Sequence, residues 1–387
     1  MEISGSGARV SIARCADYQA DAVYRSIKES VDHLGGIASF VAEGKRVLLK
    51  PNFLIGRPPE RCVNTHPAVV RAVAELVLEA GGKPFIGDSP QLGSARKVAE
   101  KCGVAAVARD LGIDIVEFEP VDVKHPRGRY YRNFTIGKEV LGADTIINLP
   151  KLKTHSLTLL TLAVKNIFGC IPSARKAQWH VRAFQHGSDY FTKMLLDLYS
   201  LINPALTIVD GIVAMEGKGP GFGSPRELGL VVTGTDAVAV DAVIAEIIGV
   251  TPEDYPILRI AKSDGYGTGM LSAIALHGED LSRVKVDDFL LPPMATEPSI
   301  IRRILIPALK GPLTTRPFID THQCQRCSNC MQACPLGCIS QDEGGAFIID
   351  TRKCIQCLCC MEVCPNGAVD LKDGFLLSLI KKRATHA

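Results

Sequence analysis

Eight cysteines toward the carboxyl end of the chain constrain its fold more than any other feature. They stand in two runs of one pattern, C-x2-C-x2-C-x3-C followed by proline. The first is Cys324, Cys327, Cys330 and Cys334 before Pro335; the second is Cys354, Cys357, Cys360 and Cys364 before Pro365. Three thiolates on one short loop can hold three corners of a cubane iron–sulfur cluster, and the fourth, ahead of proline, reaches the other cluster of a pair. The spacing therefore predicts two [4Fe–4S] clusters with crossed ligand sets. Cys324, Cys327, Cys330 and Cys364 take one, and Cys354, Cys357, Cys360 and Cys334 take the other. A zinc reading fits poorly, because structural zinc prefers two separated C-x2-C pairs or mixtures with histidine.

This stretch, over about residues 316–372, resembles the bacterial-type two-cluster ferredoxin domain. Between the runs, "ISQDEGGAFIID" predicts a strand, a glycine turn and a strand. Of the 14 cysteines, ten lie between Cys324 and Cys364. Such crowding points to metal binding rather than disulfides. Cys338 and Cys359 are left over and read as small apolar packing residues; Cys338 stands where the second run has Ala368. Cys170 reads the same way. From Ile319 to Asp370 three basic residues face six acidic ones, whereas the whole chain carries a net charge of +3. That balance gives no drive toward nucleic acid. No apolar run is long enough to span a bilayer, no signal peptide is expected, and the expected compartment is the cytoplasm.

Upstream, short apolar β-branched runs such as "RVLLK", "PFIG", "DTIINLP", "LTIVD" and "LGLVV" alternate with helical patterns such as "PAVVRAVAELVLEAGG" and "DAVAVDAVIAEIIGV". This predicts an α/β fold, a mainly parallel sheet with flanking helices, joined to a small α+β ferredoxin-like domain at the C-terminus. "ARVSIA" is expected as an edge strand, and "DSPQLGSARKVAEKCG" as a loop. The expected boundaries are 1–300 for the α/β domain, 301–315 for a proline-rich linker, 316–372 for the cluster domain and 373–387 for a basic tail.

Chemically capable residues follow four of the predicted strands. Lys50 and Asn52 follow "VLL", Asp88 follows "PFIG", Lys151, Lys153 and His155 follow "TIINLP", and Asp210 ends "LTIV". In open α/β sheets that edge is where ligands bind. Lys165, Asn166, Lys176, His180 and Glu216 extend the group, and a glycine-rich loop, "EGKGPGFGSP", follows; it lacks the P-loop register. Several lysines in one crevice would bind an anion. His155 and His180 with Asp88, Asp210 and Glu216 suit proton transfer, or a mononuclear metal site, which the surrounding lysines disfavour. Asp241, within "TDAVAVDAV", is expected on a solvated helix face.

The ordered set "KPN", "GDSP", "LPKLKTH", "KNIFGC", Lys176-x3-His180, "VDGI…MEG" and "TDAVAVDAV" resembles the DUF362 family over about residues 45–250. The family is one of unknown function, often fused to or beside ferredoxin modules. The resemblance marks Lys50, Asn52, Asp88, Lys151, Lys153, His155, Lys165, Asn166, His180, Asp210 and Glu216 as the pocket; Lys176 joins them on its position.

Together the parts predict a ferredoxin-coupled oxidoreductase. Electrons from an external protein partner pass through two clusters to an anionic substrate or cofactor. Lys50, Asn52, Lys151, Lys153, Lys165, Asn166, Lys176 and Glu216 bind it, while His155, His180, Asp88 and Asp210 handle protons. The alternatives are an electron-transfer subunit of a larger complex or a metallocofactor-assembly factor. No G-x-G-x-x-G fingerprint is present, so a nicotinamide cofactor is not indicated; neither is a flavin or an additional metal. "SIIRRILIPALKG" and "FLLSLIKKRATHA" mix aliphatic and basic residues and read as helices packed on their own protein rather than on a membrane surface.

Overall fold

A computed structural model describes residues 7–172, 175–176, 179–181, 188–292 and 315–373. The expected linker and both aliphatic–basic stretches lie almost wholly outside the described residues.

One ten-stranded sheet organises the larger part of the chain. Its strands are β1 (Ala8–Arg14), β2 (Arg46–Pro51), β3 (Lys83–Gly87), β4 (Ile115–Val116), β7 (Thr145–Leu149), β8 (Lys151–His155), β9 (Leu159–Thr161), β10 (Leu206–Glu216), β11 (Ser224–Gly234) and β12 (Ile274–Gly278). A separate hairpin is formed by β5 (Pro120–Lys124) and β6 (Asn133–Gly137). The main order is β12-β1-β11-β10-β7-β2-β3-β4, with β8 pairing β10 and β9. From β10 to β4 every pair is parallel, while β11 is antiparallel to both its neighbours.

Side chains alternate across the strands. Val47, Leu49, Ile86, Ile147, Ile208 and Val231 share one core with the helices Ala20–Asp32, Pro67–Glu79, Ala95–Lys101 and Val104–Leu111. Leu48, Phe85, Ile146, Val209 and Val232 share the other with Ser188–Ile202, Ala237–Ile247 and Pro256–Asp264. Both faces are covered, which is why the strands read as continuous apolar runs.

Three local expectations are corrected. β1 is not an edge strand, because β12 pairs outside it. Residues 95–101 and 104–111 are helical; Ser94 caps the first by accepting from Lys97 N, and Ala95, Val98 and Ala99 bury at helical spacing. After β7, Pro150 interrupts the chain, which then re-enters the sheet as β8, so Lys151, Lys153 and His155, expected just past a strand, sit in one.

The cysteine-rich part is a pseudo-symmetric pair of halves. β13 (Thr315–Ile319) pairs antiparallel with β16 (Val369–Asp373), and β14 (Ile339–Gln341) with β15 (Phe347–Ile349), the expected hairpin. Short helices Asn329–Ala333 and Cys359–Glu362 follow the two ligand loops. Arg326 and Ser328 have positive φ, and so do Gln356 and Leu358 at the matching positions of the second run. The repeat in sequence is thus a repeat in backbone.

Candidate functional site: a crevice closed by the cluster module

Cysteines of the two runs intermix in space. A cavity of about 20 Å³ is walled by Cys334, Cys354, Cys357 and Cys360, the second ligand set; Cys338 lines it too, its Sγ 3.3 Å from that of Cys334. Cys330 and Cys364 are buried in one hydrophobic cluster, with Cys324 packed against it, while Cys327, the fourth of the first set, is exposed. The second set brings four cysteines to a largely apolar lining, the donor chemistry that a cubane takes. The residues fit the clusters. Cys359 is buried and does not line the cavity.

The second feature is a crevice at the carboxyl edge of the parallel strands. It encloses about 50 Å³ and is lined by residues that include Asn52, Asp88, Lys153, His155, Lys165, Asn166, Lys176 and His180. Eight of the twelve residues expected there therefore converge. Asp88 is tied down by the Lys50 ammonium at 2.8 Å and by the amides of Phe53 and Ser89 at 2.6 and 2.8 Å. Gly169, of "KNIFGC", lies against this pair; a Cβ there would collide with the Asp88 carboxylate and the Lys50 ammonium. Lys153 donates to Val63 O at 2.6 Å, and Lys176 donates to Ser89 O. Lys165 lies 4.8 Å over the ring of Phe168 and 5.7 Å over that of Phe191.

These cations crowd one another. Burial, with Lys165 nearby, brings Lys153 down to about 7, and burial brings Lys176 to about 7 against the pull of Asp88. Burial also lowers His180 to about 4 and holds His155 and Lys165 below their usual ranges. Among the described residues no three histidine, cysteine or carboxylate side chains group as a site for a single metal ion.

Comparison with known proteins adds the lineage. The family model described as a domain of unknown function, DUF362, matches residues 47–246, and a 4Fe–4S dicluster domain matches residues 316–365. The chain belongs to the DUF362 family. A thylakoid-associated protein of Synechocystis is 45% identical over 262 residues, covering 66% of this chain and 79% of that one. Pyruvate synthase subunit PorD of Methanocaldococcus jannaschii is 47% identical over 36 residues, 9% of this chain and 42% of its own. Among solved structures, the lactate racemase apoprotein of Thermoanaerobacterium thermosaccharolyticum aligns with TM-score 0.39 and 11% identity over 59% of this chain and 54% of that one. A Thermotoga maritima protein aligns at 0.35 and 11%, over 57% and 56%. No helix among the described residues is long and apolar enough to cross a membrane.

What joins the DUF362 domain to the dicluster domain is Glu362, a residue that sequence reasoning missed. It ends the helix after the second ligand loop and enters the crevice wall, 4% exposed, with Oε1 3.2 Å from His155 Nε2. That contact has ion-pair distance, yet Oε1 makes no hydrogen bond among the described residues. Burial works to raise the Glu362 carboxyl, but His155, Lys165 and His180 overcome it and hold the group at about 2. The glycine-rich loop explains the close approach. A Cβ on Gly221 would run into the carbonyl oxygen of Glu362. Beside it, Val363 packs with Met215 and Val63, and Lys218 pairs with Asp370 at 2.5 Å.

Four expected residues lie elsewhere. Lys50 is wholly buried behind Asp88. Lys151 and Asp210 pair at 2.9 Å on neighbouring strands, and Tyr18 bridges them, accepting from Lys151 and donating to Asp210 at 2.7 Å each. Glu216 accepts from the amide of Leu290 at 3.1 Å. Asp241, expected on a solvated face, is fully buried. It accepts from the amides of Ala163 and Val164 at 2.7 and 3.3 Å, at the start of the turn that carries Lys165 and Asn166.

Proposed function

We propose that this iron–sulfur protein is a ferredoxin-coupled oxidoreductase in which electrons pass through two [4Fe–4S] clusters to an anionic acceptor bound in the DUF362 crevice. The observation that carries the reading is Glu362. Two residues beyond the ligand Cys360, it forms part of the crevice wall, so a ligand loop and the crevice are contiguous. Electron transfer from the second cluster then needs no large motion of the module. Lys153, Lys165 and Lys176 hold the acceptor's charge, and His155, beside Glu362, and His180 are buried imidazoles held below their usual range that serve as proton acceptors. An external redox protein supplies or removes the electrons.

The test is made on anaerobically purified protein. Metal analysis should give about eight irons per chain, four for each cubane. Clusters reduced photochemically are mixed with candidate anionic acceptors and followed by visible absorption. Reoxidation by the right acceptor should slow at least ~10-fold, about 1.4 kcal/mol in barrier, in His155→Gln and Lys165→Gln. Zinc in place of iron would end the reading. So would unchanged reoxidation by every acceptor when His155, His180 and Lys153 are all replaced by alanine.

A further inference from the structure

We infer that the crevice is a built site for one small oxyanion or carboxylate head group, gripped by Lys165, Lys176 and His180. The inference rests on the reading above for its purpose, but its evidence is separate. Three features of the crevice carry it.

The first is unspent donor capacity. Among the described residues Lys176 and Lys153 each commit one N–H to a backbone carbonyl, which leaves two apiece. Lys165 makes no hydrogen bond among the described residues and rests on aromatic rings. His180, 4% exposed, has a buried Nδ1 with no partner among the described residues. Its ring is locked by stacking on Phe191 at 5.1 Å and by the edge of Phe168 at 5.9 Å. A buried polar atom without a partner is costly, and a ligand that hydrogen-bonds to it recovers that cost.

The second is charge. Asp88 is saturated by Lys50 and two amides, and Glu362 is engaged by His155. Among the described residues Lys153, Lys165 and Lys176 therefore have no carboxylate at ion-pair distance, although Glu362 acts on Lys165 and Asp88 on Lys176 from farther off. A buried charge is tolerated when it is paired, and a ligand anion is the partner this arrangement lacks.

The third is size. About 50 Å³ is open to the centres of water molecules, and each water needs roughly 10–15 Å³ by that measure. That holds a few waters or one head group with several acceptor oxygens. Convergent N–H donors from several directions match such oxygens better than they match a halide.

The occupied state has a distinctive signature. Lys153 faces Lys165, Lys151, Glu362 and Asp88, and Lys176 faces Asp88, Lys50, Lys165 and Cys170. With amines held near neutrality by this crowd, an arriving anion restores their protons, so binding takes up protons around pH 7–8.

The experiment uses oxidised, cluster-loaded full-length protein. Acetate, oxalate, bicarbonate, sulfate and inorganic phosphate are titrated calorimetrically at constant ionic strength with chloride as the control, in two buffers of different ionisation enthalpy. At least one should bind with proton uptake. Affinity should fall at least tenfold in Lys176→Gln and Lys165→Gln, with cluster absorption showing that each is folded, and should be unchanged in the exposed control Lys97→Gln. Gln91→Glu, an isosteric added charge on the crevice wall, should weaken binding as well. The proposal is overturned if no anion binds better than chloride, or if these crevice variants bind like the parent. Binding without cluster reoxidation would remove the redox reading and keep this one; reoxidation by a neutral acceptor alone would do the reverse.

Discussion

Glu362 Oε1 and His155 Nε2 face each other at 3.2 Å, both buried, one from the dicluster domain and one from the DUF362 sheet. Removing one polar partner of a buried pair leaves the other unsatisfied, at a cost of about 1–3 kcal/mol. Glu362→Gln is expected to destabilise the loaded protein on that scale in chemical unfolding. Gln332, at the matching position of the first run, is exposed, so Gln332→Glu should change stability by under ~0.5 kcal/mol. The sign with pH follows from a depressed carboxyl. Its stabilisation is present above the unfolded value near 4 and is lost as pH falls toward about 2. The gap between Glu362→Gln and the parent should therefore close in acid.

The docking seat can be tested without touching a charge. In Gly221→Ala the new methyl meets the Glu362 carbonyl oxygen, so the loop or the module must shift. Overpacking of this kind costs about 1–3 kcal/mol. Hydrogen exchange should rise at both contact segments, 217–223 and 359–364, while the amides of β2 and β7 remain as protected as in the parent.

The doubled cysteine pattern was legible because cluster ligation demands local spacing, and one loop supplies three of four ligands. The crevice was half legible for a related reason. Parallel strands carry the residues after them to one edge, so Asp88, Lys153 and His155 converge whatever lies between. Lys151 and Asp210 share that edge but turn to each other across β8 and β10, a choice made by strand register and by Tyr18, far away in sequence. Glu362 was hidden because its role arises only from docking. The available signal was the contrast of "CMEVC" with "CMQAC": one acid where the symmetric half has an amide. Asp241 was hidden by habit, since a lone acid on a helix is usually solvated. Its neighbours in "AVAVDAVIAEI" are apolar all round, the mark of a buried helix.

Asp241 positions the crevice from behind. Its carboxylate caps the turn Ala163–Asn166 and takes a hydrogen bond from Tyr255 at 3.2 Å; burial raises it to about 7. Asp241→Ala leaves two buried amides and a phenol unpaired and should cost about 1–3 kcal/mol for each such group. The distinguishing readout is the labelling rate of the Lys165 amine by mass spectrometry. It should change in Asp241→Ala and stay near the parent value in Asp241→Asn, which keeps one acceptor oxygen.

Lys153 is held at about 7 by burial first and by Lys165 second. Between that value and the ordinary lysine range near 10.4, the unfolded chain binds a proton that the folded chain does not. Stability therefore rises with pH across roughly 7–10, because the penalty for a buried ammonium is relieved once the unfolded chain also loses its proton. Lys153→Met should flatten that rise and stabilise the anion-free protein near pH 7 by on the order of 1–3 kcal/mol, as replacement of buried charge by apolar volume often does. It should weaken anion binding at the same time. A parent whose stability falls between pH 7 and 9 would contradict this account.

Arg57 offers a handle on the first cluster. Its Nη2 is buried with no hydrogen-bond partner among the described residues. Burial lowers its pKa, and the Cys327 and Cys364 thiols, which belong to one of the expected ligand sets, counter that. With a cluster held by these cysteines, a guanidinium acting on their sulfurs would stabilise its more negative, reduced state, since cluster potentials follow local charge and hydrogen bonding to sulfur. Arg57→Gln removes that charge. For an interaction of about 1 kcal/mol, the one-electron potential should fall by on the order of 40 mV. Potentiometric titration followed by electron paramagnetic resonance reads the two clusters separately. The shift should appear in the cluster held by Cys324, Cys327, Cys330 and Cys364, with a smaller one in its neighbour. Equal shifts in both would mean that Arg57 acts through the overall field of the module and not through these sulfurs.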